Sequence, residues 1–343
     1  MENKNISSDN FSQVSLNSGK PEFALTSTPI EHSSIGLTVP LRSSLRESLS
    51  LCDEFSQVPV INKTKSLFKR DINNPKKILD ELDDEMKELM AEKKYIFTVK
   101  TDGTCGLIIS VEPERFTLMR RQDIKINSRN YKMVMENGCI KEVAGEKCFF
   151  TKMVRGSGKN EIICPLYIFQ LGHDLCPELE NDTHIIGFTP LLKNFGDDKY
   201  AITAIEGDNG EKGMKIYTTL FNGSLDIPVK LCAVEEIMCN SLLKTVEIMG
   251  SKISNKYGFT SDRHIINPHG SIIYPNEINK MPLNYESIRN WFENDKNNRW
   301  ADVEGFVIHF PEINKRFKVH RGHVGLEHKW QTKKESGIKF KMH

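Results

Sequence analysis

From Tyr95 onward the chain reads as a long succession of short segments in which apolar residues alternate with polar ones. Such period-two patterning buries one face of a strand and leaves the other to solvent or to a ligand. The segments 95–100, 105–111, 116–121, 148–154, 161–169, 184–192, 199–205 and 213–219 all read this way. So many short strands joined by turns imply antiparallel sheets, with helices as minor partners. A short helix around 233–244 leads into a strand at 245–249, and a helix near 284–295 places Ile288, Trp291 and Phe292 on one face. Two last strands, 303–310 and 315–320, flank the hairpin signal "PEIN".

The leading part is different. Thirteen of the first sixty residues are serine, mixed with Asn, Thr and Pro without a sustained period. Such a segment buries too little apolar surface to offset its ordering entropy, so residues 1–65 are expected to form a disordered tail. Order is expected from "NNPKKILDELDDEMKELMAEKK", read as one helix. Asn74 would cap it, Pro75 would take the first helical position, and Ile78, Leu82, Met86 and Leu89 would line its buried face. Residues 66–330 are thus expected to form one α+β domain, and the basic segment 331–343 a frayed tail.

Formal charge is +1, so no overall basicity draws the chain to nucleic acid or membrane, although a local groove can still be basic. The eight cysteines show neither Cys-x-x-Cys spacing nor a paired framework, which argues against zinc and for a reducing compartment. No apolar run approaches the ~20 residues of a membrane helix, and the N-terminus lacks a signal-peptide core. An intracellular location, cytoplasmic or nuclear, is expected.

One short element allows two readings. "KYIFTVKTDGTCGL" sets Lys100 at the end of a strand, followed at once by Thr101, Asp102 and Gly103. Asp-Gly is a common hairpin signal, and a lysine there can simply reach solvent. Lys100-Thr101-Asp102-Gly103 nevertheless resembles the Lys-x-Asp-Gly element of covalent nucleotidyltransferases, the DNA ligases, RNA ligases and capping enzymes. Further elements follow in the order of that superfamily: Glu247 in "TVEIMG", Glu304 in "VEGFVIHF" and Lys318 in "RFKVHRGH". With "NPHGSI" and "IRNWFE" added, the pattern is similar to the single-domain, metazoan-type ATP-dependent 5′-to-3′ RNA ligases and their viral relatives.

The resemblance implies a nucleotidyltransferase (ATP-grasp-like ligase) core of antiparallel sheets flanked by helices, without a C-terminal OB domain. Lys318 is followed by only twenty-five residues, whereas a closing β-barrel needs about a hundred. The activity implied is ATP-dependent sealing of RNA 5′-phosphate and 3′-hydroxyl ends through a lysyl-AMP intermediate, with Mg²⁺ or Mn²⁺ as cofactor and end-processing repair proteins as partners. A capping-type or DNA-end nucleotidyltransferase, or a relative that binds nucleotide or RNA ends without reacting, is the alternative.

The same resemblance assigns roles. Lys100 would be the nucleophile, which must lose a proton from a reference pKa near 10.4 before it can attack. Lys318 would hold the α-phosphate. Glu304 would face the metal, since hard cations prefer oxygen ligands, and Asp102 would orient Lys100 or bind a metal-coordinated water. Gly103, Arg121, Glu247 and His320 would contact the nucleotide, His320 standing where many relatives carry a second lysine. Phe259 or Tyr257 would either stack on the base or pack in the core, and His269 is expected to brace a loop. RNA would lie along a basic groove, with Arg120, Arg129, Arg155, Arg321 and His323 as candidates.

Overall fold

Residues 63–74, 77–92, 94–180, 183–219, 226–239, 241–250, 252–253, 264–271, 281–294, 304–313, 315–326 and 339–342 are described by the computed structural model. All of them lie within one compact unit, Ser43–His343. Two of the sheets frame the site, and the link between them carries the Lys-Thr-Asp-Gly element.

The first sheet has four strands. β1 (Lys65–Ser66) lies at one edge. β2 (Phe68–Arg70) and β3 (Ile78–Leu82) then form a separate two-stranded ladder, followed by α1 (Asp84–Glu92). β4 (Ile96–Lys100) returns to the first sheet at its other edge.

The chain then enters a nine-stranded, antiparallel sheet through β5 (Thr104–Glu112) and β6 (Arg115–Lys125). α2 (Arg129–Asn137) follows, capped by Ser128, whose side chain accepts from the Tyr131 amide. β7 (Cys139–Val143), β8 (Glu146–Arg155), β9 (Ile162–Ile168), β10 (Leu179–Glu180) and β11 (His184–Pro190) extend this sheet. After α3 (Asp198–Ala201), a third sheet is built by β12 (Ile205–Glu206), β13 (Lys215–Thr219) and β14 (Asp226–Ala233). α4 (Val234–Met238) leads to β15 (Leu243–Met249) and β16 (Ile265–Pro268), back in the large sheet. α5 (Tyr285–Asn294) precedes β17 (Gly305–Phe310) and β18 (Lys315–His320), which complete the first sheet, and β19 (Lys339–Met342) joins the third. Among the described residues no helix is long and apolar enough to cross a membrane.

Alternation positions the site. In the first sheet Phe97, Phe306, Ile308, Phe317 and Val319 enter a core shared with Met86 of α1 and Ile288 and Phe292 of α5. The intervening residues Thr98, Lys100, Val307, His309, Arg316 and Lys318 face the opposite side and line a cleft. In the large sheet Val246 and Ile248 enter a second core, so Glu247 between them turns toward the same cleft.

Several expectations need correction. The single helix expected from Asn74 is a strand followed by a helix. Asp71 accepts from the Asn73 and Asn74 amides and closes a turn, and β3 then pairs with β2. The helix starts only after Asp83, whose carboxylate accepts from the Glu85 amide. A cap with acids behind it therefore overrides the longer 3.6-residue pattern. Segment 199–205 is mostly helical, as α3 and a 3-10 turn at Ile202–Ala204, and only Ile205 belongs to a strand. Of the expected tail 1–65, residues 1–62 lie outside the described residues, but Lys65 is already in β1, opposite Phe317. Of the segment 331–343, Lys339–Met342 pairs in parallel with Asp226–Val229 rather than fraying, and 331–338 and 343 lie outside the described residues.

Candidate active site

β4 ends at Lys100 in the first sheet, and β5 begins at Thr104 in the second. β4 pairs with β17, and β5 pairs with β15 and β6. Asp102-Gly103 is therefore not a hairpin turn between paired strands but a crossing between two sheets. Gly103 is required by close approach: a Cβ there would lie 2.3 Å from the Ile248 carbonyl oxygen and 3.0 Å from Glu247 Cγ. The missing side chain lets the linker rest directly on β15.

The first sheet brings the remaining charged residues to Lys100. Lys100 lies opposite Gly305, which lies opposite His320, and Val307 lies opposite Lys318. Glu304, just before β17, receives a hydrogen bond from Lys100, with Nζ 2.5 Å from Oε2. Burial raises the Glu304 pKa, the Lys100 ammonium opposes the rise, and the carboxylates of Asp102 and Glu247 add to it. Lys318 has no ion-pair partner among the described residues. Burial, followed by the repulsion of Lys100, Arg70 and Lys63, pushes its pKa down to about 8, with Glu304 opposing.

The large sheet supplies the opposite wall. Glu247, Cys105 and Asn267 stand in one row across β15, β5 and β16. His269, just beyond β16, holds the Glu247 carboxylate at 2.9 Å. Its role thus reaches into the cleft, beyond bracing a loop. Burial and the Glu247 carboxylate push the Cys105 thiol up to about 12, which keeps it protonated and unreactive. Arg121 is fixed to Asp123 through Nε at 2.9 Å, while its Nη2 is buried with no hydrogen-bond partner among the described residues.

Three basic side chains of the cleft were not singled out in the sequence. His309 is buried at the floor, 2.7 Å from Thr98 Oγ1, and burial, with the Arg316 cation and His269 adding, pushes its pKa down to about 3. Arg316 lines the same floor, its pKa lowered by burial to about 10. Lys63 enters from the segment ahead of β1. The alternation of β17 and β18 gave a signal for the first two, which share a face with Lys318. For Lys63 no local signal existed, because β1 reaches this sheet by a long-range pairing.

The residues expected to bind RNA do not form one groove. Arg155 is buried, with its two terminal nitrogens 2.7 and 2.9 Å from the buried Asp198 carboxylate. Arg120 contacts the same carboxylate at 3.4 Å. Arg321 is buried, donating to the Phe292 carbonyl at 3.1 Å, and its guanidinium lies 5.3 Å from the Phe292 ring centroid. His323 is buried against His320, with ring centroids 3.5 Å apart. Only Arg129 is well exposed, and it pairs with Glu161. Phe259 and Tyr257 lie outside the described residues.

A protein-family model described as RNA ligase 1 matches residues 60–336, most of the chain and every element of the cleft. The chain belongs to the RNA ligase 1 family. RNA ligase activity on an RNA substrate is what membership suggests. The match begins three residues ahead of Lys63, so the family's domain includes the segment that carries it. No curated protein matches the chain.

Proposed function

We propose that this RNA ligase family member is an ATP-dependent ligase that seals 5′-phosphate and 3′-hydroxyl RNA ends through AMP linked to Lys100. The observation that carries this reading is one amine at a strand end, hydrogen-bonded to a partly buried carboxylate and neighboured by further cations. Lys100 must give up a proton before its lone pair attacks the α-phosphorus of ATP. Glu304 is the nearest base, 2.5 Å away, and its raised pKa makes it a better proton acceptor. The N–P bond then forms as the bond to the pyrophosphate oxygen breaks, and the electron pair leaves with pyrophosphate. Lys318, without an ion-pair partner among the described residues, is suited to the charge that gathers on the α-phosphate. Glu247, held by His269, is suited to the ribose hydroxyls, and the unpartnered Nη2 of Arg121 is a donor on the same wall.

Among the described residues no three His, Cys, Asp or Glu side chains converge into a cage for an ion. Glu304 with neighbouring Asp102 is instead a sparse carboxylate set, which suits Mg²⁺ held largely by water and phosphate oxygens. Mg²⁺ or Mn²⁺, when bound, would neutralise phosphate charge.

Incubation with α-labelled ATP and Mg²⁺ tests the reading. Label is expected to stay on the protein through denaturation and to be absent in Lys100→Ala. No label from either ATP or GTP would overturn the nucleotidyltransferase reading, and label from GTP alone would favour a capping enzyme. Adenylated protein is then expected to seal RNA ends, and sealing of all-DNA nicks alone would overturn the RNA assignment. The phosphate and hydroxyl requirement is checked by RNAs that lack either group.

A further inference from the structure

The cleft receives a cation from outside the core of the domain. Lys63 precedes β1, an edge strand that pairs in parallel with β18 and sets Ser66 opposite Lys318. Its ammonium reaches across to the large sheet, 2.7 Å from His184 Nε2 and 3.2 Å from Asp123 Oδ2. Burial, followed by the Lys63 charge, lowers the His184 pKa, so the ring is neutral near neutral pH and accepts from Lys63. His184 Nδ1 then donates to Thr183 Oγ1 at 2.8 Å. Two of the three ammonium protons are thus engaged, and one donor remains on a lysine that lines the cleft.

The surroundings favour an anion there. Lys63, Arg121, Arg316 and Lys318 line the same cleft as Lys100. Among the carboxylates, Glu304 is engaged by Lys100 and neighboured by Asp102, Glu247 is engaged by His269, and Asp123 is shared by Arg121 and Lys63, four against the five cations. The repulsion that Lys63 exerts on Lys318 is part of what depresses the latter's pKa. Cations gathered at partial burial without equal neutralisation favour a polyanionic ligand.

We infer that Lys63 is a phosphate-binding residue of the nucleotide-transfer step, holding the pyrophosphate end of ATP opposite Lys100. This rests on the ATP-dependent reading above. Lys63 touches the departing group: as the N–P bond to Lys100 forms and the P–O bond breaks, its ammonium stabilises the charge carried off by pyrophosphate. The reaction of an RNA that already bears a 5′-adenylate releases AMP, not pyrophosphate, and has no need of Lys63.

The test compares wild type, Lys63→Ala and Lys63→Arg in two reactions. Lys63→Ala is expected to slow self-labelling by α-labelled ATP roughly tenfold or more, while Lys63→Arg keeps most of the rate. Sealing of pre-adenylated RNA is expected to stay within about twofold of wild type for both. Inorganic pyrophosphate, titrated calorimetrically without ATP, is expected to bind wild type and to bind Lys63→Ala more weakly. Equal loss in both reactions would mark Lys63 as structural and overturn the inference, as would undiminished labelling or pyrophosphate binding in Lys63→Ala. Absence of label in wild type is a different outcome and overturns the parent reading instead.

Discussion

Lys100 Nζ lies 2.5 Å from Glu304 Oε2 although 204 residues separate them, because β4 and β17 are neighbours in one sheet. The contact pairs the proposed nucleophile with its nearest proton acceptor. Glu304→Gln keeps the shape and removes the basicity. It is expected to slow self-labelling by roughly a hundredfold or more, since the same carboxylate is both the proton acceptor and a metal-facing group in this reading. The time course of label retained on denaturing gels measures this.

Lys318 sets a pH limit. Its folded pKa of about 8 lies below the ordinary 10.5. Between these values the folded chain holds fewer protons than the unfolded one, so this group's contribution to stability rises with pH across that window. Anion binding runs the other way, because the positive charge on Lys318 is lost as pH rises through about 8. ATP affinity, measured by equilibrium binding from neutral to alkaline pH, is expected to weaken above that point. In Lys318→Arg the decline is expected to move to higher pH, since a guanidinium stays charged.

His309 makes the protein sensitive to acid. With its pKa lowered from 6.5 to about 3, the folded chain keeps the ring neutral where the unfolded chain protonates it. Stability is therefore lost as pH falls from 6.5 toward 3. Glu304 works in the opposite sense over the interval between its ordinary and raised pKa. Urea midpoints for wild type are expected to drop between about pH 7 and pH 4.5, and the drop is expected to be smaller in His309→Gln.

Gly103→Ala tests the crossing between the sheets. The added methyl would sit 2.3 Å from a backbone oxygen of β15. It is expected to cost about 1–3 kcal/mol in stability through overpacking. Labelling is expected to fall as well, because displacing the linker displaces Lys100. Denaturant midpoints and labelling rates, read on the same preparation, check both.

Arg155 separates a structural role from RNA contact. Its bidentate pair with Asp198 is buried on both sides. Truncating one partner of such a pair costs roughly 3–5 kcal/mol. Arg155→Lys, which keeps the charge but loses the fork, is expected to be destabilised and to leave the salt dependence of RNA binding unchanged. A phosphate-contacting arginine replaced by a neutral residue would lower that slope by about one. Arg129→Ala, at an exposed position, is the comparison for such a loss.

The chain's own sequence carried the chemistry in local form. Alternation around Glu247 and Lys318 set which face each side chain takes, since the period of a strand is two whatever its neighbours are. The order of Lys100, Glu247, Glu304 and Lys318 was equally legible, because each sits in a short segment with its own pattern. What the sequence left open depended on pairings between distant segments. Asp102-Gly103 reads locally as a hairpin, yet the strands on either side belong to different sheets, and only β17 and β15 settle that. Arg155 reads as a candidate for an RNA groove, yet Asp198 takes it into the interior. Lys63 looks like the end of a polar tail, yet β1 places it across the cleft on His184 and Asp123. Local pattern fixes which way a side chain turns, while register between distant strands decides what it meets. Contacts of high sequence separation leave no mark on the residues beside them.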